Sequence, residues 1–234
     1  VVTMVVTMKI LAFDTSTRFL SIALLEDNEM VAEFHEEAGM RHSEILIPRI
    51  NDTLEKAGWR IREIGLICAG TGPGSFTGLR IAVATVKGMA AVFPDKQGIG
   101  IPSMDAMVMN LPAGRAPVAP LLDARKGKVY SCVYELSGDE PVRVTDYLLI
   151  AVEELLGSLS GEVIFFGDAV ARYREALDKH PLARYTEDVD WYPRAVHIGR
   201  LGFRRSIAGT DTPESLEPMY LHAKECNITK RKRG

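Results

Sequence analysis

The strongest constraint on how this chain folds is a strand–Asp–turn–strand unit that occurs twice. Residues 9–13 form a short apolar run ending at Asp14, Thr15-Ser16-Thr17-Arg18 turns the chain, and residues 19–25 return as a second apolar run. Pro120-Leu121-Leu122 leads in the same way to Asp123, Ala124-Arg125-Lys126-Gly127 turns, and residues 128–136 return. Short apolar runs bounded by turn residues are strand signals. The two segments align without a gap over about a dozen residues, and each opens one half of the chain. Each half continues with a helical segment, 43–57 in the first and 152–159 in the second. Each then adds a strand and a helix: 64–69 before a long apolar helix, and 163–166 before 169–179. This order predicts two copies of one α/β architecture. An Asp at such a turn often does no more than hydrogen-bond its own backbone, so it is the pairing of two turns that carries the fold argument.

The first of these later strands runs into Gly70-Thr71-Gly72-Pro73-Gly74-Ser75-Phe76-Thr77-Gly78-Leu79-Arg80. A phosphate loop needs Gly-Lys-Ser/Thr at the start of its helix, but here Gly78 is followed by Leu79 and Arg80. A dinucleotide fingerprint needs a third Gly where Ser75 stands, and an acid at the tip of the next strand. That strand, 97–101, runs instead into Pro102-Ser103. The segment Gly72, Pro73, Gly74, Ser75, Thr77, Gly78 is therefore read as a structural loop, with Ser75 or Thr77 capping the next helix. A nucleophilic role for Ser75 would need a base in reach and a G-x-S-x-G elbow, which the spacing lacks.

The helix predicted over 77–93 has only Arg80, Thr85 and Lys87 among apolar and small residues. A surface helix shows one apolar stripe, so this one is expected to be covered on both sides. Lys87 and its length argue against a membrane span. Ala84, Gly88 and Ala91 share a face and would admit a close neighbour. Two readings fit: a central core helix, or a helix shared between a core and a partner chain. Arg80 in the first turn opposes the helix dipole, which points to a carboxylate or a partner nearby.

With 47% hydrophobic and 25% charged residues, the chain has ordinary globular composition. A net charge of -3 argues against the broad basic surface of an autonomous nucleic-acid binder. Cys68, Cys132 and Cys226 have no metal-site spacing and read as reduced thiols, and five scattered histidines contain no His-x-x-x-His pair. The opening Val-Val-Thr-Met repeat reads as an upstream extension, with the domain starting near Met8 and the translation start left open between Met4 and Met8. With no leader or apolar span read in it, the chain is expected to be cytoplasmic.

The duplicated Asp turns have the layout of the actin, sugar-kinase and Hsp70 type of fold, in which such turns clasp nucleotide phosphates and metal. Asp14 and Ser16, with Asp123 and Arg125, are thus the nucleotide-proximal candidates. More specifically, Ile10-Leu-Ala-Phe-Asp14-Thr-Ser16, Arg41-His42-Ser43-Glu44, the run 70–80, Lys87-Gly88, Asp123-Ala-Arg125 with Val129-Tyr130, and Pro218-x-Tyr220-Leu221 occur in order. Together they resemble the bacterial TsaB (YeaZ-like) family of tRNA threonylcarbamoyladenosine biosynthesis proteins, over residues 8–221. The resemblance implies an α/β fold of two actin-like, ribonuclease H-like lobes, each a mixed sheet flanked by helices. The lobes would span 8–110 and 111–193, with a helix at 194–208 packing back on the first. Residues 209–234 would be an extension ending in a solvated Lys230-Arg231-Lys232-Arg233 tail.

The resemblance also implies a non-catalytic subunit that binds a TsaD-like catalytic subunit and, with a TsaE-like ATPase, supports threonylcarbamoyl transfer to tRNA. Contact with tRNA would be indirect, the chain alone would be a homodimer, and there would be no membrane role and no intrinsic cofactor. Any ATP or ADP is expected at the partner interface. Catalytic relatives carry a metal-binding His-x-x-x-His where this chain has Ser103 and Met107, a poor donor set for a divalent cation.

The partner face is expected on the 77–93 helix (Arg80, Ala84, Lys87, Gly88, Ala91) and on the preceding helix (Arg41, His42, Leu46, Pro48, Ile50). In that preceding helix, Ser43 is the expected N-cap, and Leu46, Ile47, Ile50, Leu54 and Ala57 the stripe docking it on a sheet. The alternatives are an ATP-dependent small-molecule phosphotransferase of the same fold, with Asp14 and Asp123 near metal, and a homodimeric peptidase active without a partner.

Overall fold

The structure, a computed structural model, describes residues 7–114, 116–136, 140–187, 191–209 and 212–221. The basic tail, Cys226 and the first six residues lie outside the described residues. The chain divides into two compact units. Among the described residues, one comprises those up to Met107 together with Tyr192–Met219, and the other Val108–Trp191 with Tyr220 and Leu221.

In the first unit, β1 (Lys9–Asp14), β2 (Phe19–Glu26) and β3 (Glu29–Glu37) form an antiparallel meander. α1 (His42–Lys56) follows, then β4 (Leu66–Gly72), α2 (Phe76–Val92), β5 (Gln97–Pro102) and α3 (Ser103–Val108). The sheet order is β3-β2-β1-β4-β5, with β4 parallel to β1 and β5 parallel to β4. Successive strand residues point to opposite faces, and β1 is buried on both. Leu11 and Phe13 pack with Leu46, Ile50 and Leu54 of α1 and with Ala82, Val83 and Val86 of α2. Ile10 and Ala12 pack with Ala195, Val196 and Ile198 of a later helix, Ala195–Ala208. Covering on both faces explains why β1 and β4 read as continuous apolar runs rather than alternating ones.

The second unit repeats this order. β6 (Val118–Arg125), β7 (Lys128–Ser131) and β10 (Leu148–Ala151) are antiparallel neighbours, and β11 (Val163–Phe166) and β12 (Ala183–Tyr185) extend the sheet in parallel. The path β10-β7-β6-β11-β12 matches β3-β2-β1-β4-β5 strand for strand. α4 (Val152–Gly157) and α5 (Val170–Lys179) supply its helices, and the helix Ala195–Ala208 is α6. The fold is α/β, built of two units that share one strand order.

One expected strand is broken. Residues 128–136 do not return as a single run, because β7 stops at Ser131 and β8 (Tyr134–Glu135) turns away to pair with β6 and β9 (Val142–Arg143). The break follows the backbone of Val133, whose N–H donates to Thr145 Oγ1 at 3.0 Å and whose carbonyl accepts from Val144 N at 2.8 Å. No helix among the described residues is long and apolar enough to cross a membrane.

Candidate functional site

The β1–β2 turn and the loop from β4 into α2 meet in the first unit. Asp14 is 1% exposed. Its Oδ1 accepts from Ser16 N at 2.8 Å and from Ser16 Oγ at 2.7 Å. Its Oδ2 accepts from Ser103 Oγ, at the start of α3, at 2.6 Å. The same Ser103 oxygen accepts from Gly72 N at 3.1 Å. Thr15 Oγ1 donates to Gly78 O at 2.8 Å, and Ser75 N donates to Ser16 O at 2.6 Å. The glycines of the loop are required by this approach. A Cβ on Gly70 would overlap the Asp14 carboxylate, and one on Gly74 or Gly78 would overlap the carbonyl oxygen of Ser16 or Thr15. Gly72 and Pro73 complete the descent, and Ser75 caps α2 by accepting from Gly78 N at 3.3 Å.

The turn that was a nucleotide-proximal candidate is thus filled by the chain's own loop. Both of its carboxylate oxygens are engaged inside the chain, by Ser16 and Ser103. Burial pushes the Asp14 carboxyl above its ordinary value, outweighing the Ser103 and Ser16 hydrogen bonds and the nearby His42, which pull it down. Ser103 and Met107, the positions aligned with a metal pair, are both buried. Ser103 there serves the Asp14 carboxylate. Among the described residues no cluster of three His, Cys, Asp or Glu side chains is arranged to hold a metal ion.

The corresponding turn of the second unit is open. Asp123 is about a third exposed and pairs with Arg172 of α5 at 3.0 Å. Its Oδ1 accepts from Arg125 N at 2.8 Å, and its own N–H donates to Asp168 Oδ1 at 3.0 Å. Arg125, Lys126 and Gly127 all take positive φ, the geometry of a tight hairpin turn.

α1 and α2 lie side by side on one face of the first sheet. α2 buries Gly78, Leu79, Ala82, Val83 and Val86, whereas Phe76, Thr77, Arg80, Ala84, Lys87, Gly88 and Ala91 are exposed. Among the described residues the sheet face covers only one side of the helix, so the expected cover on both sides is not met within them. A Cβ on Gly88 would have open space around it. The Arg80 guanidinium lies over the Phe76 ring, 3.8 Å from its centre. Lys87 Nζ donates to the carbonyl of Glu214 at 3.0 Å. That carbonyl belongs to a C-terminal strap whose 3-10 turn, Pro213–Ser215, leads to Leu216 in the core and to Met219, which donates to Thr71 O at 2.8 Å.

On α1, Arg41 and Pro48 are exposed. Leu46 and Ile50, expected on the partner face, are each 1% exposed, so they hold the helix to the sheet and present nothing outward. His42 is likewise turned inward, 6% exposed, with Nε2 at 3.1 Å from Phe19 O. The helix begins at His42 with Arg41 as its N-cap and no side-chain cap, rather than with Ser43 as the cap. Ile47 departs from the expected stripe and faces solvent. Sequence reasoning missed the grips of Thr15 and Ser103 and the strap at Glu214. The hydroxyl of Thr15 beside Asp14 and the Pro213 that starts the 3-10 turn were the available signals.

The family described as "TsaD: tRNA N6-adenosine threonylcarbamoyltransferase" matches residues 29–206. The tRNA threonylcarbamoyladenosine biosynthesis protein TsaB of Escherichia coli K12 is 32% identical over 168 residues, 68% of this chain and 71% of that protein. The Bacillus subtilis TsaB is 28% identical over 73% of this chain and 76% of its own length. YeaZ from Pseudomonas aeruginosa superposes with a TM-score of 0.76 at 26% identity, over 92% of this chain and all of that one. A second solved structure, an uncharacterised protein described as similar to peptidase YeaZ from Pseudomonas aeruginosa, gives 0.79 at the same identity and coverage. By these matches, spread over most of its length, the chain belongs to the TsaB (YeaZ-like) family of tRNA threonylcarbamoyladenosine biosynthesis proteins.

Proposed function

We propose that this chain is a non-catalytic scaffold and activator in tRNA threonylcarbamoyladenosine synthesis. It binds a TsaD-type catalytic subunit and, with a TsaE-type ATPase, supports transfer of threonylcarbamoyl from threonylcarbamoyl-AMP to N6 of the adenosine 3′ of the anticodon. The observation that carries this reading is the filled Asp14 turn. The carboxylate that would face a reacting phosphate is consumed in hydrogen bonds to Ser16 and Ser103. The neighbouring outer face of α2 is, by contrast, exposed and lined by small residues. Activation then works through coupling: the chain binds the active conformation of the catalytic subunit more tightly than the inactive one.

The working surface in this reading is Arg41, Ile47 and Pro48 of α1 with Arg80, Ala84, Lys87, Gly88 and Ala91 of α2. A second copy of the chain takes that surface when the catalytic subunit is absent. Nucleotide belongs at the partner interface, tRNA is met through the complex, and the setting is the cytoplasm. The phosphotransferase alternative is disfavoured, because it needs Asp14 to be open.

The test is reconstitution with unmodified tRNA, threonine, bicarbonate, ATP, the carbamoyl-adenylate synthase, and TsaD- and TsaE-type subunits, with and without this chain. Modified nucleoside is read by mass spectrometry after digestion. Modification that depends on the chain supports the reading, and modification indifferent to it contradicts the reading.

A further inference from the structure

The Asp14 cluster joins three elements to the surface that the functional reading uses. Through Ser16 it shapes the turn after β1, through Ser103 it fixes the start of α3, and through Gly72 N it fixes the end of β4. The turn it shapes then grips the glycine loop twice, by Thr15 on Gly78 O and by Ser16 O on Ser75 N. Gly78 is in the first turn of α2, two residues before Arg80. The residue beside Gly72, Thr71, accepts from Met219 of the C-terminal strap, and the strap holds Lys87 further along the exposed face. α2 is therefore clamped at its start by the Asp14 cluster and along its length by the strap, and both clamps meet at Thr71-Gly72.

We propose that Asp14 is a positioning residue: it holds the glycine loop and the first turn of α2 in the pose that the catalytic subunit recognises. Hydrogen bonds from Ser16 and Ser103 offset the cost of burying the Asp14 carboxyl, and a satisfied buried network of this kind rigidifies the segments it joins. Asp14 touches no reacting group in this scheme and acts only through the loop and helix it holds. The inference rests on the functional reading above.

The test uses the full chain and a purified TsaD-type catalytic subunit from the same organism, with affinity measured by calorimetry. Asp14→Ala and Ser103→Ala are expected to bind about tenfold or more weakly. Asp14→Asn can still accept from Ser16 and donate to Ser103 Oγ, so it is expected to stay within about threefold of wild type. Val170→Ala, in the core of the other unit, controls for general destabilisation and is expected to bind as wild type does. Hydrogen exchange in the free chain supplies an independent readout, with faster exchange at the Ser75 and Leu79 amides expected in Asp14→Ala.

If Asp14→Ala does not fold, Thr15→Val removes the grip on Gly78 at constant shape and is expected to weaken binding in the same direction. Wild-type affinity in the folded Asp14→Ala and Ser103→Ala variants, or an equal loss in Val170→Ala, overturns the proposal. A wild-type chain that fails to bind the catalytic subunit overturns the functional reading instead, and the exchange data then still decide whether Asp14 positions the loop.

Discussion

Asp14 ends β1 and Asp123 lies two residues before the end of β6, the corresponding strand of a sheet with the same strand order, yet their surroundings are opposite. Asp14 is sealed, with its oxygens bonded to Ser16 and Ser103. Asp123 is partly solvated and held by a surface pair with Arg172. The turns themselves do not account for this, since each carboxylate accepts from the backbone N–H two residues on. What differs is the connection from the fourth strand of each sheet into the following helix. In the first unit the run 70–78 is glycine-rich enough to descend onto the turn. In the second, Gly167-Asp168-Ala169 is short and meets β6 through Asp168 on Asp123 N and Ala169 N on Leu121 O. A duplicated fold thus keeps its strand order while one neighbouring loop decides whether an acidic turn is buried or open.

The largest expected effect contrasts glycines of the two regions. Gly78→Val in the first unit must push the Thr15 carbonyl aside, and should cost about 3 kcal/mol or more of stability, or prevent folding. Gly127→Ala in the second hairpin meets no neighbour and suffers only its positive φ, at about 1 kcal/mol. Denaturant midpoints of the two variants check this, and equal losses would break the contrast.

Next come the polar partners. Ser103→Ala leaves the buried Asp14 short of a donor and Gly72 N without its acceptor, for about 2–3 kcal/mol. Arg172→Ala removes an exposed pair from Asp123, for less than about 1 kcal/mol. Urea unfolding of both variants would show whether the order holds.

The smallest effect is in pH dependence. Burial raises the folded Asp14 carboxyl above its ordinary value. Between about pH 4, where an unfolded Asp ionises, and that raised value, the folded chain holds a proton that the unfolded chain has released. The stability contributed by neutral Asp14 is full below about pH 4 and is lost as pH rises through the raised value. Asp14→Asn has no such loss, so its stability relative to wild type should grow as pH rises from about 4 toward neutrality. Parallel curves from denaturation at a series of pH values would contradict a raised Asp14.

Much of the fold was legible because its signals are local. Apolar runs, turn residues and the repeated Asp identify the strands and the duplication, and two-sided burial accounts for the unbroken hydrophobicity of β1 and β4. The site was legible only in part. The residue types of the glycine loop indicated close approach, but not that the approach would be onto Asp14, since that neighbour is more than fifty residues away in the chain. Leu46 and Ile50 were assigned both to the stripe that docks on the sheet and to the partner face; helix phase gave the first correctly, and burial against the sheet removes them from the second. Thr15, Ser103 and Glu214 act through long-range hydrogen bonds, one of them to a backbone carbonyl, and no periodicity announces those.

The most direct test of the account is a reconstituted modification assay comparing the wild-type chain with Gly88→Trp. Gly88 is exposed with open space around it, so the variant should fold and melt as the wild type does. If the chain works through the exposed face of α2, the variant should bind the catalytic subunit weakly and leave the tRNA largely unmodified at concentrations where the wild type saturates. Full modification by a folded Gly88→Trp chain would contradict the account.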